Sequence, residues 1–280
     1  MKRKISAVIL ACSILALAAG CESRSFQAER QMWKAHKKAE AIFKNPKGTP
    51  PFVLQNAIDA YKEIAKKYPD SLFSIQSQFS IGHLYLVMGN FDQARKVYKS
   101  MAVDCDKKGN LCAEAYYAIG KSYELQDNWA DAELIYKKIM QEYPFSAKSL
   151  DLPIYIMLRY KNEKATSAMM RAGDEAIAYY RQLMTDPRGK KGADILHGFV
   201  TRVYLESGQW PQALDSLEQY VKAFPDKNPE EAIYIKAVID QRKLNDKDKA
   251  RQELQRIVRD YPKSKLAPIA KTLLEKSEKS

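Results

Sequence analysis

Alanine marks a recurring position along the chain, at 57, 94, 132, 176, 213 and 250, with intervals of 37, 38, 44, 37 and 37 residues. Four places after each alanine stands a ring or a leucine: Tyr61, Tyr98, Tyr136, Tyr180, Leu217 and Leu254. Three places further comes another apolar residue: Ile64, Met101, Ile139, Leu183, Tyr220 and Ile257. Positions i, i+4 and i+7 share one face of an α-helix, so the pattern predicts six helices, each with a small residue beside a bulky one on its inner face. At that spacing the tyrosines read as core residues and not as ligand-stacking rings. Five of the segments end at proline: Pro69, Pro144, Pro187, Pro225 and Pro262. Proline cannot continue a helix and biases the residue before it out of helical geometry. Three of these ends read Tyr-Pro-x-Ser (Tyr68 to Ser71, Tyr143 to Ser146, Tyr261 to Ser264), and the serine is a preferred cap for the helix that follows.

The stretch before each alanine helix is helical too. Ile75, Phe79, Gly82 and Tyr85 form one periodic row, and Tyr116, Ile119, Gly120 and Tyr123 another. Glycine costs helix propensity, so Gly82 and Gly120 predict a close approach of two helices. A turn then leads into each alanine helix: Gly89-Asn90-Phe91, Asp127-Asn128-Trp129, Gly208-Gln209-Trp210 and Asn245-Asp246. Each unit is therefore helix, turn, helix. The insertions fall at 45–52, 104–111 and 186–192, and the pattern is weakest over 26–56 and 146–175. Residues 264–280 read as a last helix with a charged outer face, suited to closing an array. No strand-like alternation appears, so the chain is expected to be all-α.

The runs Gly82…Tyr85…Gly89…Ala94…Tyr98, Gly120…Tyr123…Ala132…Tyr136…Pro144 and Tyr204…Gly208…Ala213…Leu217…Pro225 resemble tetratricopeptide repeats. The period here is 37 where that family has about 34. The resemblance implies a right-handed α-solenoid of about six helix pairs with a C-terminal capping helix, over residues 26–280. It also implies a function, the binding of other proteins by the inner, concave face of the stacked first helices. Carried onto this chain, that face comprises Phe79, His83 and Leu86, then Tyr117, Lys121 and Glu124, then Arg202 and Leu205, then Ile239 and Arg242. A row mixing apolar, aromatic and cationic groups suits an extended peptide or a docked helix of acidic character.

The N-terminus bears on the compartment. Lys2, Arg3 and Lys4 precede an apolar run from Ile5 to Ala19, and small residues lead to Cys21. This is the layout of an export signal, and the run is short for a spanning helix. Ala18-Ala19-Gly20-Cys21 resembles the lipobox of bacterial lipoproteins, with Ala18 where leucine is usual. That resemblance implies a signal peptide over 1–20, a lipidated tether over 21–25 and acylation of Cys21; a plain signal cut near Ala19 and an uncleaved anchor are the other readings. Glu22, in place of the aspartate that retains lipoproteins in the inner membrane, points to the outer membrane, facing the periplasm. Several acyl groups give stable anchoring.

Of the four cysteines, Cys105 and Cys112 belong to the body of the protein. An oxidising compartment permits a disulfide between them, worth about 2–3 kcal/mol for so short a loop; two free thiols and a metal site are the alternatives. The net charge of +12 falls to +9 without Lys2, Arg3 and Lys4. Export argues against nucleic acid as the basic surface's partner and leaves lipid headgroups, wall polymer or an acidic protein face, or simply solvated helix faces. His36, His83 and His197 fall in three different units, and no phosphate loop, HExxH or GxSxG is present. Glu206-Ser207 matches the catalytic pair of lytic transglycosylases without the rest of that domain. No enzyme, cofactor or metal is therefore expected. The lipobox with Tyr-Pro-x-Ser repeats resembles the lipoprotein subunit of the outer-membrane β-barrel assembly machine, the BamD-like family. That implies the barrel insertase and unfolded barrel proteins as partners. Pilotins and the Tol–Pal coordinator are similar repeat proteins and stay open, as does an enzyme accessory or cell-wall binder.

Overall fold

The computed structural model describes residues 24–103 and 109–278. The predicted signal segment, Cys21 and Cys105 lie outside the described residues. Helix α1 runs over 24–44, so it starts inside the predicted tether. It is followed by α2 (Pro51–Lys67), α3 (Leu72–Val87), α4 (Phe91–Val103), α5 (Gly109–Glu124), α6 (Trp129–Glu142) and α7 (Ala147–Asn162). Then come α8 (Thr166–Thr185), a single turn α9 (Pro187–Lys190), α10 (Ala193–Ser207), α11 (Trp210–Ala223), α12 (Pro229–Arg242), α13 (Lys247–Asp260) and α14 (Ala267–Glu278). No strand occurs among the described residues, and the helices follow the predicted paired arrangement, α14 being the last. The 104–111 insertion is shorter than expected, because α5 already includes Gly109 to Leu111. The chain divides into two compact units, residues 1–149 and 150–280.

The repeated alanines and the residues four places on are the core. Ala57, Ala94, Ala132, Ala176, Ala213 and Ala250 are all buried, as are Tyr61, Tyr98, Tyr136, Tyr180, Leu217 and Leu254. Burying each such large side chain stabilises by about 1.5–3 kcal/mol. In the first unit α2 packs on α3, α3 on α4, α4 on α5 and α5 on α6. There α1 contributes Ala28, Met32, Ala35, Ala39 and Ile42 to the cluster around Tyr61. In the second unit α8 packs on α10, and α10 to α14 each pack on the next.

Gly82 and Gly120 have the predicted role. A Cβ at Gly82 would overlap the Tyr98 ring, and one at Gly120 the Tyr136 ring. Sixteen residues separate the partners in both cases. At the same separation in the second unit, Thr201 and Val238 stand before Leu217 and Leu254. The narrower leucine leaves room for a side chain opposite it. Thr201 uses that room for a hydrogen bond between its hydroxyl and that of Ser216, at 2.7 Å.

The stop signals share one geometry. Tyr68, Tyr143, Phe224 and Tyr261 close their helices with φ between −128° and −130° and ψ between 52° and 58°. Each still donates its N–H to the carbonyl four residues back. The proline that follows disfavours the helical region for the residue before it, and the chain leaves the helix there. The serines then cap: Ser71 accepts from the Ser74 N–H, Ser146 from the Ser149 N–H and Ser264 from the Leu266 N–H, at 3.1–3.2 Å.

The inner turns share another geometry. Gly89, Asp127, Lys164, Gly208 and Asn245 have φ between 53° and 76°. In the first four, the next N–H bonds back to a tyrosine carbonyl: Tyr85, Tyr123, Tyr160 and Tyr204, at 2.8–3.0 Å. This is the left-handed helix stop, for which glycine or asparagine is suited and lysine is not. Ala94, Ala132, Ala213 and Ala250 each fall five residues past the turn residue. In α8 that place is Met169, and Ala176 comes seven residues later, two helical turns on, so it keeps the same face. The weak fourth unit is thus a pair whose second helix is longer, 20 residues against 14 in α6. Its first helix holds Pro153, which frees carbonyls one turn back. Near it the Tyr180 hydroxyl donates to the Leu150 carbonyl at 2.6 Å.

Candidate functional site

In the first unit the predicted face is built on α3 and α5. Phe79 is half-buried with its ring 6.0 Å from that of Tyr98, and Leu86 packs in the same cluster. His83 is exposed and lies 5.0 Å, ring to ring, from Phe43 of α1. Tyr117 is half-buried between the Tyr136 ring at 5.7 Å and the Lys148 ammonium, 4.3 Å above its ring. Lys121 pairs with Glu124, and Glu124 also accepts from the Tyr136 hydroxyl at 2.8 Å. Tyr117, Lys121 and Glu124 therefore come together, with Glu124 engaged by the second helix of its own pair. Phe43 and Lys148 were not legible in the sequence, since they reach this face from other helices.

In the second unit the face becomes a groove of about 240 Å³ between α10, α11 and α12. Arg202 and Leu205, both predicted, line it with Gly198, Tyr220, Glu231 and Ile235. Arg202 is exposed and has no ion-pair partner among the described residues. The Tyr220 hydroxyl donates to the Lys227 carbonyl at 3.0 Å, and burial, with the Asp194 and Glu231 carboxylates, raises the phenol's pKa. The rim carries the Lys227–Asp194 pair at 3.7 Å. A Cβ at Gly198 would meet nothing within 4 Å, so this glycine is not demanded by packing. It leaves the groove wall open at the centre of α10.

Ile239 is a correction. It is 3% exposed and sits in the core cluster of α11 to α14, so it cannot offer its side chain to a partner. α12 packs on both α11 and α13 and buries a wide arc, whereas a helix open on one side leaves that position free. Ile235, four residues earlier, is the apolar residue that α12 gives to the groove. Arg242 is exposed but outside the groove lining.

The other chemistry-bearing residues are engaged in packing. The His36 ring meets the Tyr61 hydroxyl at 2.8 Å, and His197 packs edge-on against Tyr220 and Phe224 at 5.8 and 5.9 Å. Burial and the nearby Arg181 charge lower the His197 pKa. Glu206 pairs with Lys161 at 2.9 Å, and the Ser207 hydroxyl donates to the Val203 carbonyl at 2.8 Å. Among the described residues no three of His, Cys, Asp and Glu converge as a metal site requires. Cys112 is buried in the first turn of α5.

Comparison with family models agrees with this repeat architecture. One family model described as tetratricopeptide repeat matches residues 79–147. A second with the same description matches 54–71, 202–227 and 231–264. Residues 148–201, with the long α8, fall between the matched stretches. A crystal structure of a tetratricopeptide repeat protein from Parabacteroides merdae is 16% identical, covers 89% of this chain and 97% of that one, and superposes with a TM-score of 0.34. No curated protein matches the chain.

Proposed function

We propose that this tetratricopeptide-repeat protein is a lipid-anchored scaffold of the cell envelope, held by acylated Cys21 on the periplasmic side of the outer membrane. Its repeats are a protein-interaction scaffold. The reading extends this to a BamD-like component of outer-membrane β-barrel assembly, with the insertase or unfolded barrel chains as partners. The α10–α12 groove carries the proposal: an unpaired guanidinium at Arg202 beside the apolar groups of Leu205 and Ile235, with an open wall at Gly198. Such a groove takes an extended segment that alternates apolar and acidic side chains. The oxidising compartment that goes with this location also favours a Cys105–Cys112 bridge.

Substituting Cys21→Ser is expected to move the protein from the membrane fraction into the soluble periplasm, because the several acyl chains on Cys21 are what hold it there. Fractionation of envelopes washed in high salt, which strips electrostatic surface contact but not an acyl anchor, reads this directly. A variant that stays with the membrane in wild-type amount contradicts the anchor. Depletion of the protein is expected to lower outer-membrane barrel proteins generally. Loss of one pilus or of Tol–Pal function alone contradicts the barrel assignment.

A further inference from the structure

The outer face of α1 is unlike an ordinary solvated helix face. Ala28, Met32, Ala35, Ala39 and Ile42 form the buried stripe. With 3.6 residues per turn, the side directly opposite carries Phe26, Arg30, Trp33, Lys37 and Lys44. Phe26 is 66% exposed and Trp33 60%. They are seven residues apart, so both rings lie on the same line of the helix. The helix already has a complete apolar stripe inside, and these two rings add nothing to it. The Lys37 ammonium lies 5.9 Å from the Trp33 ring.

The charge on this helix is one-sided as well. Arg24, Arg30, Lys34, Lys37, Lys38 and Lys44 stand against Glu29 and Glu40 alone. Glu40 is shared by Lys37 at 3.3 Å and Lys44 at 2.7 Å, and its pKa is lowered by hydrogen bonds to Lys44 and then Lys37. Exposed aromatic groups interleaved with cations fit a surface that is anionic at the top and apolar just below, which is a bilayer interface with acidic headgroups. No described helix is long and apolar enough to cross a membrane, so contact here is with the surface. α1 begins three residues after Cys21, a distance that an extended chain spans in about 10 Å.

We propose that the outer face of α1 lies on the anionic surface of the membrane, with Phe26 and Trp33 at the headgroup–acyl boundary and Arg30, Lys37 and Lys44 on headgroup phosphates. The proximity argument rests on the anchor proposed above; the charge and aromatic arguments stand without it. Docked in this way, α1 fixes the orientation of the first unit against the bilayer, where a lipid tether alone would let it swing.

The test uses the unacylated chain 22–280, which keeps every described residue. It is co-sedimented with vesicles of phosphatidylcholine alone and of phosphatidylcholine mixed with phosphatidylglycerol. Binding is expected only with phosphatidylglycerol present and is expected to fall as salt rises. The double substitution Phe26→Ser and Trp33→Ser, and separately Arg30→Glu with Lys37→Glu, should each weaken it by about ten-fold or more. All four side chains are outside the core, so the thermal unfolding curves should match wild type. Wild-type chain that ignores anionic vesicles, or aromatic variants that bind as well as wild type, would overturn the proposal. So would a dimer broken by the same substitutions, since the face would then belong to a second copy. The assay contains no lipid on Cys21, so its failure is separate from failure of the anchor, which Cys21→Ser fractionation reads.

Discussion

Gly120→Ala is expected to destabilise the first unit by about 2–3 kcal/mol, even though alanine favours the helix by about 1 kcal/mol. The added Cβ would overlap the Tyr136 ring, which is fully buried and held by its hydroxyl on Glu124. Either the ring or the α5–α6 pair must shift. Gly82→Ala against Tyr98 should behave in the same way. The second unit indicates the remedy, because Thr201 and Val238 stand before leucines. Tyr136→Leu alone should lower stability through lost volume and a lost hydrogen bond. Combined with Gly120→Ala, it should cost less than the two separate losses added, with a coupling of about 1 kcal/mol or more. Urea unfolding of the four chains measures this. Additive losses would show that the glycine is not there for the ring.

The second large effect lies in the charge cluster behind the groove. Lys236 is buried on α12 and bonds Glu218 of α11 and Glu253 of α13, each at 2.6 Å. Arg256 reaches Glu218 at 2.9 Å and Glu253 at 3.6 Å. Burial pushes the Glu218 carboxyl up, but hydrogen bonds from Lys236 and Arg256 outweigh that and leave its pKa lowered. Asp240, 2% exposed, has its pKa raised by burial and by the Glu253 charge, and its Oδ1 lacks a hydrogen-bond partner. Lys236→Met removes the central buried cation and leaves Arg256 alone to hold Glu218 and Glu253. The expected cost at neutral pH is about 3–5 kcal/mol, the range for breaking a buried ion pair.

The pH dependence has a definite sign. Glu218, with its lowered folded pKa, contributes stability above its unfolded pKa and loses it as pH falls through the folded value. Asp240, with its raised folded pKa, does the reverse and costs stability as pH rises from its unfolded value through the folded one. Removing Lys236 weakens the first effect and strengthens the second. The gap between Lys236→Met and wild type should therefore be widest near neutrality and narrow in acid. Unfolding at a series of pH values reads it. A gap constant with pH would mean that Lys236 acts through packing alone.

Much of this fold could be read from the chain because its signals are local and repeated. The alanine with its ring four places on, the Tyr-Pro-x-Ser stop and the glycine opposite a tyrosine each act within a few turns. What escaped involved partners brought together by packing. The Lys236–Glu218–Glu253 cluster joins three helices at separations that no helical period connects. Phe43 and Lys148 reach the first-unit face from other helices. Ile239 was placed on the binding face by analogy of register, whereas α12 is packed on two sides and turns it inward. The fourth pair is obscured because α8 is six residues longer than α6 and its alanine comes two turns later, on the same face. The rings of Phe26 and Trp33 were visible as residues, but only the burial of the opposite stripe shows that they have no place in the core.

Binding by the first-helix groove makes a direct prediction for crosslinking. A photoreactive residue at Arg202, and a second at Lys222, exposed on α11 outside the groove lining, would be tested in intact envelopes. The first would be repeated with Gly198→Leu. A Cβ there meets nothing within 4 Å, a leucine should favour α10 by about 0.5–1 kcal/mol, and its side chain extends into the open wall. Specific capture of a protein from position 202, its loss in Gly198→Leu at undiminished stability, and none from position 222 is the predicted result. Capture from 222, or capture from 202 that Gly198→Leu leaves unchanged, would contradict it.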